Sequence, residues 1–297
     1  MKHLYKATTM LLPLSTLNFL LTLLILPQST TARPPGIRYK DPDPANKYFH
    51  ESVFSGHYSD HFSSTRLPLD QQSAHLSALI GAYLHTTTHL INVTTWLAHG
   101  TLLGWYWNGF ILPWDSDVDV VVDEETMGMF ATKWNMSTWE FDDGEGKGGV
   151  RKYVLDVNPH WVNRSKDEDN KIDARFLDME SGLFIDITTL RGNGFKMNGG
   201  DMEVMTVKDG HHYAYDDVFP LRESRFEGAP AWVPFAYPEI LAEEYGEDAL
   251  VDVYHKKHLF DEKVGKWVPH MAPWLAGDVQ IEIERKLTRS RPKKGSG

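Results

Sequence analysis

The chain has 297 residues, 41% of them hydrophobic and 24% charged, enough for one large or two small domains with a proper hydrophobic core. A formal net charge of −11 argues against a nucleic-acid surface, which needs clustered Lys and Arg, and suits a cationic metal ion better. Cysteine is absent, so disulfides, zinc–thiolate sites and thiol nucleophiles are excluded together.

At the N-terminus Lys2 and Lys6 precede an apolar run from Met10 to Leu26, and Thr30-Thr31-Ala32 resembles a small-residue cleavage site. Residues 1–32 read as a signal peptide or a signal anchor. Pro13, Asn18 and Thr22 interrupt the run, which falls short of the roughly 20 apolar residues that span a bilayer comfortably. Either form places the chain in the secretory pathway, in the Golgi lumen or membrane, or outside the cell. N-x-S/T acceptors at Asn92, Asn135 and Asn163 add modestly to that expectation.

Residues 33–69 are rich in Pro, Ser, Asp and His, with Pro34-Pro35-Gly36 and Asp41-Pro42-Asp43-Pro44 as helix breakers, and predict a lumenal stem or an N-terminal extension. From Leu69 to Trp96, Leu76, Leu79, Ile80, Tyr83, Leu84, Leu90 and Ile91 recur at helical spacing, with Asp70 as the N-cap. Asn108-Gly109 supplies the left-handed position of a tight connection. Asp115 to Val122 alternates and ends β-branched, which predicts a strand with one acidic face. Val150 to Leu155 is another strand, and the polar run from Asn163 to Asn170 is read as a solvated loop. Ile172–Leu177 and Leu183–Thr188 predict paired strands joined by Met-Glu-Ser-Gly. Glu239 to Tyr245 is helical, with Pro238 in its first turn and Gly246 after its end. The basic residues 271–297 predict a disordered tail. With no internal repeat, one mixed α/β (α+β) domain over residues 70–270 is the economical organisation.

Asp117 and Asp119 at alternate strand positions point to one face and can share a divalent cation; Asp115 extends that face. Asp186, alone among Leu183, Phe184, Ile185 and Ile187, is costly to bury unless a cation or hydrogen bonds offset its charge. Hard oxygen donors favour Mg²⁺ or Mn²⁺ and fit transfer of a phosphorylated group. Gly100, Thr101 and Gly104 form a small-residue turn that lets backbone N–H groups approach a phosphate. Arg151 and Arg175 are either bidentate phosphate ligands or salt-bridge partners, and Asp186 alternatively pairs with Arg175. Trp107 and Trp114 are divided between core and sugar platform, and His99, His211 and His212 are weaker candidates.

Gly100-Thr101-Leu102-Leu103-Gly104, followed by Phe110 to Asp119 with Pro113-Trp114-Asp115-Ser116-Asp117-Val118-Asp119, resembles the GTLLG…PWDxDxD signature of the LicD/fukutin family. Phe184-Ile185-Asp186-Ile187 resembles its later h-D-h strand, and Val233-Pro234, Tyr237, Leu241 and Tyr245-Gly246 its downstream element. The resemblance implies a nucleotidyltransferase-like mixed sheet flanked by helices. It also implies a metal-dependent transferase that moves a phosphorylated group from a CDP- or GDP-linked donor to a glycan acceptor. In that scheme Asp117, Asp119 and Asp186 are the metal ligands and Asp115 the base. Trp105-Tyr106-Trp107-Asn108-Gly109 looks closest to fungal members tied to mannosylphosphate addition to cell-wall mannan. Trp107 stands where bacterial members carry Arg, which weighs against phosphocholine as the transferred group. The competing expectation is a non-catalytic regulatory partner of a glycosyltransferase.

Overall fold

The computed structural model describes residues 43–142, 149–197 and 202–270. The predicted signal segment, the first part of the stem and the basic tail lie outside the described residues. No helix among the described residues is long and apolar enough to cross a membrane.

In chain order the elements are β1 (Glu51–Ser52), β2 (Ser55–Ser59), α1 (Leu69–His85), β3 (Trp96–Leu97), α2 (His99–Asn108), β4 (Asp119–Asp123), α3 (Glu124–Met129), β5 (Thr138–Asp142) and β6 (Val150–Val157). They continue with β7 (Ala174–Asp178), β8 (Phe184–Met197), β9 (Met202–Thr206), β10 (His212–Ala214), α4 (Tyr215–Val218), β11 (Arg222–Phe226) and β12 (Ala229–Val233). The last are α5 (Tyr237–Tyr245), β13 (Tyr254–His255), β14 (His258–Asp261) and β15 (Lys266–Pro269).

The centre is an eight-stranded mixed sheet with helices against it, as expected from the sequence. Its main path is β10-β9-β8-β7-β6-β5, and β4 joins it by running parallel to β8, with β3 antiparallel to β4. Val120, Val121 and Val122 are all buried because both faces of β4 are covered, which is why this strand is continuously apolar rather than alternating. Val120 and Val122 pack with Leu76, Ile80 and Tyr83 of α1, whereas Val121 packs with Trp96, Leu190 and Val218. β7 and β8 pair antiparallel across the predicted Met179–Gly182 turn.

Three local expectations are corrected. Residues 43–68 are no detached stem: β1 and β2 form a hairpin, and fully buried Tyr58 bridges Leu183 at the start of the central hairpin. The aromatic Tyr58 makes that docking favourable despite the Pro/Ser-rich composition around it. The α-helix begins after Pro68 and gives way to a π turn over Thr86–Leu90, so Asp70 lies inside the first turn and Leu90 is 51% exposed. The polar run at 163–170 hides a buried knot, in which the Asp167 carboxylate accepts hydrogen bonds from Asn158 Nδ2 at 2.8 Å and Asn170 Nδ2 at 3.1 Å. A charged stretch in sequence carries no signal for which of its side chains is turned inward.

Candidate active site

The acidic motif is a loop leading into a strand. Leu112 O accepts the Asp115 N–H at 2.8 Å, a turn that keeps Asp115 to Asp117 off the ladder; Val118 O accepts the Asp186 N–H at 2.9 Å, and β4 begins at Asp119. Asp117 and Asp119 therefore do not share a strand face, contrary to the expectation from spacing. The loop nevertheless brings Asp115, Asp117 and Asp119 to one wall of a cleft of about 450 Å³. Asp186 follows the sequence reading more closely: it is the register partner of Asp119 on the parallel strand β8. It stands beside the acidic trio without lining the cleft.

The Gly-Thr-Leu-Leu-Gly segment is the first turn and a half of α2, not a turn between strands. Gly100 lines the cleft, and a Cβ there would stand 2.7 Å from Asp115 Oδ2, so the glycine admits that carboxylate to the start of the helix. Thr101 is buried, and its hydroxyl oxygen accepts the Asp119 backbone N–H at 2.9 Å. It positions the strand and is withdrawn from any phosphate. Gly104 is a packing glycine, since a Cβ would meet Phe110 O at 2.5 Å. Gly109, at φ 77°, ends the helix in the left-handed conformation expected of it.

Neither arginine reaches the cleft. Arg151 Nη1 lies 3.9 Å from Asp178 Oδ2 on the far strands. Arg175 is buried between Asp186 Oδ1 at 2.8 Å and Glu51 Oε1 at 2.6 Å, with its guanidinium 3.7 Å from the Phe184 ring centroid. The planar fork thus serves two carboxylates at once and is committed internally, so Asp186 takes the salt-bridge alternative. The three acceptor asparagines Asn92, Asn135 and Asn163 are all exposed.

Across the cleft stand Tyr245, from the downstream element, and His255, Lys256 and Trp267, which no local pattern singled out. Trp114 packs between His255, at 5.0 Å, and Trp267, at 4.9 Å, and Trp107 lies 4.8 Å from Trp267. Both tryptophans line the cleft and brace the β13–β15 sheet, so core and platform roles coincide. Lys256 and Lys257 form the two-residue connection between β13 and β14 with φ of 42° and 65°. Such left-handed backbone is disfavoured for lysine and occurs here at the rim of the cleft.

Burial, and then contact with Asp117, pushes the Asp115 carboxyl up to about 8. Burial and the neighbouring Asp117 also hold Asp119 well above the usual carboxylate range, against the opposing pull of His99. Buried carboxylates that repel one another in this way fit a hard divalent cation, whose charge would remove the conflict. Asp115, Asp117 and Asp119 are the fitting donors; one oxygen of Asp186 is already occupied by Arg175.

A pH dependence follows for metal-free protein. Between 3.8, its ordinary value, and about 8, Asp115 keeps its proton when folded and loses it when unfolded. Unfolding then releases a proton, so stability falls as pH rises across that window. Denaturation midpoints measured in chelator from pH 4 to 8 are expected to decline, and the slope to flatten in Asp115→Asn. Equal slopes would remove Asp115 as the titrating group.

Residues 92–236 match the nucleotidyltransferase domain of the LicD/FKTN/FKRP family. Mannosyltransferase regulator 4 of Saccharomyces cerevisiae is 35% identical over 121 residues, covering 40% of this chain and 10% of that protein. Mannosyltransferase regulator 14 of the same yeast is 38% identical over 97 residues, covering 32% of this chain and 10% of that protein. The chain thus spans about a tenth of the length of these curated relatives. Tyr245, His255, Lys256 and Trp267 lie beyond the matched residues.

Proposed function

Starting from the LicD/FKTN/FKRP nucleotidyltransferase domain over residues 92–236, we propose that this protein moves a phosphorylated sugar or alditol from a nucleotide-activated donor to a glycan, with mannosylphosphate from a GDP-linked donor as the leading case. The observation that carries the reading is the convergence of Asp115, Asp117 and Asp119 on one cleft wall, opposite Lys256 and beside Trp107 and Trp114. Bound there, Mg²⁺ or Mn²⁺ would neutralise charge on the donor phosphates. Asp117 and Asp119 would hold that ion, with Asp186 supporting from the adjoining strand. Lys256 meets the remaining phosphate charge, and the tryptophans offer flat apolar faces to a sugar or base.

The transfer breaks the pyrophosphate P–O bond, forms a new ester to the acceptor hydroxyl and releases a nucleoside monophosphate. The hydroxyl proton passes to a carboxylate, and Asp115, on the cleft wall against the start of α2 and not required as an ion ligand, is placed for that role. The reaction belongs in the secretory pathway, in the Golgi lumen or membrane, where the exposed Asn92, Asn135 and Asn163 are open to glycosylation.

A second reading is favoured by the names of the yeast relatives: a regulator that binds a glycosyltransferase and catalyses nothing itself. One experiment separates the two. Protein made in a eukaryotic secretory host is first checked for a glycosidase-induced mobility shift. It is then incubated with Mn²⁺, a mannan acceptor and GDP- or CDP-linked donors. Release of GMP or CMP that depends on acceptor supports the transferase. No release with any donor, together with stimulation of a co-purified mannosyltransferase, replaces it with the regulator.

A further inference from the structure

We propose that His99, Asp209 and His211 form a second metal site, of zinc type, separate from the acidic cleft. One ligand atom from each of these residues lies within 4.8 Å of the other two, a grouping that the cleft carboxylates do not share. His99 Nε2 is 3.1 Å from Asp209 Oδ2, and His211 Nδ1 is 3.0 Å from Asp209 Oδ1. The His99 and His211 rings are 4.8 Å apart between centroids. His99 Nε2 is buried and, despite that short distance, makes no aligned hydrogen bond. An ion bound there would replace the Nε2 proton and take Asp209 Oδ2 beside it.

The surroundings set the tautomer this needs. His99 Nδ1 lies 3.0 Å from Glu244 Oε2, and the other oxygen of Glu244 accepts a hydrogen bond from Tyr213 Oη at 2.9 Å. An imidazole that donates Nδ1–H to a fixed carboxylate presents Nε2 to a metal, the arrangement that orients histidine ligands generally. Two imidazole nitrogens and a carboxylate are borderline donors and select Zn²⁺ over the hard Mg²⁺ and Mn²⁺ suited to the cleft. His211 has 44% of its side chain exposed, so a fourth position on that side is open to water. The ion would clamp the first residue of α2 to the β9–β10 hairpin, immediately behind Gly100.

Without metal, His99 is explained as an imidazolium held between Asp209 and Glu244, an arrangement in which His211 is dispensable. That difference decides the experiment. Chelated full-length protein carrying Asp117→Asn, which disables the cleft, is titrated with Zn²⁺ by calorimetry and with Co²⁺ by visible absorption. One equivalent of Zn²⁺, tetrahedral Co²⁺ bands and a raised melting temperature are expected. His211→Ala, a change at an exposed side chain, should weaken binding more than tenfold and abolish the bands. No Zn²⁺ binding, or undiminished binding in His211→Ala, would overturn the site in favour of the ion pair.

Discussion

Asp119→Asn is expected to abolish transfer while leaving the fold intact. The substitution keeps the shape of the side chain and removes the charge that, on the proposed reading, would hold a cation at the junction of β4 and β8, where Asp119 faces Asp186 in register. Losing a ligand of a catalytic ion removes several kcal/mol of transition-state stabilisation, so at about 4 kcal/mol the rate falls by roughly three orders of magnitude. The effect on stability has the opposite sense. Asp119 is buried beside three carboxylates that repel it, so chelated Asp119→Asn should melt at or above the temperature of the unaltered protein. Adding Mn²⁺ should raise the melting temperature of the unaltered protein and leave that of the variant unchanged. Asp117→Asn should lose activity as well, and Asp169→Asn, at an exposed loop position, is the control. Near-normal nucleoside monophosphate release by both cleft variants would disprove the ligand assignment.

The largest loss of stability is expected from Arg175→Met. Its guanidinium holds Glu51 at 2.6 Å and Asp186 at 2.8 Å while only 3% of the side chain is exposed. Removing it leaves the Asp186 carboxylate without its cation in a poorly hydrated site, while Glu51 keeps Lys47 at 2.6 Å, and a broken buried pair of this kind costs about 3–5 kcal/mol. The lost contact with the Phe184 face adds to that cost. Arg175→Lys should recover little, because one ammonium reproduces neither the fork across two carboxylates nor the stacking. The penalty should shrink toward pH 4, where the Asp186 carboxylate left without Arg175 takes up a proton and no longer buries charge. Chemical denaturation of Arg175→Met, Glu51→Gln and the double variant measures the coupling. A loss below about 1 kcal/mol would mean that the pair is hydrated like a surface bridge.

Local chemistry made much of this protein legible before its fold was described. The apolar run of β4, the single Asp186 in the apolar strand β8, the β7–β8 hairpin and the Pro238-to-Gly246 helix each depend on residues a few positions apart, and each is where the sequence placed it. The signature around Gly100 and Asp115 to Asp119 named the carboxylates that meet on one cleft wall, although they lie on a loop entering β4 and not on one strand face. Alternation predicted a strand through Asp115, but a short β3 and a β8 register starting at Asp119 leave Asp115 to Asp117 without ladder partners, so the Asp115 and Asp117 side chains line the cleft.

Sequence by itself determined the residue types of the acidic wall and the strand that carries Asp186, because a strand's periodicity and a carboxylate's affinity for hard cations are properties of neighbouring residues. Tertiary structure alone decided what those residues face. It withdrew Thr101 to the Asp119 backbone and Arg175 to Glu51, and it closed the cleft with Lys256 and Trp267 from a separate sheet. It also brought His99 to Asp209 and Glu244 from distant stretches of the chain. Such pairings follow from how whole elements pack, a sum of many small burial terms spread over the chain, and no short stretch of residues encodes them.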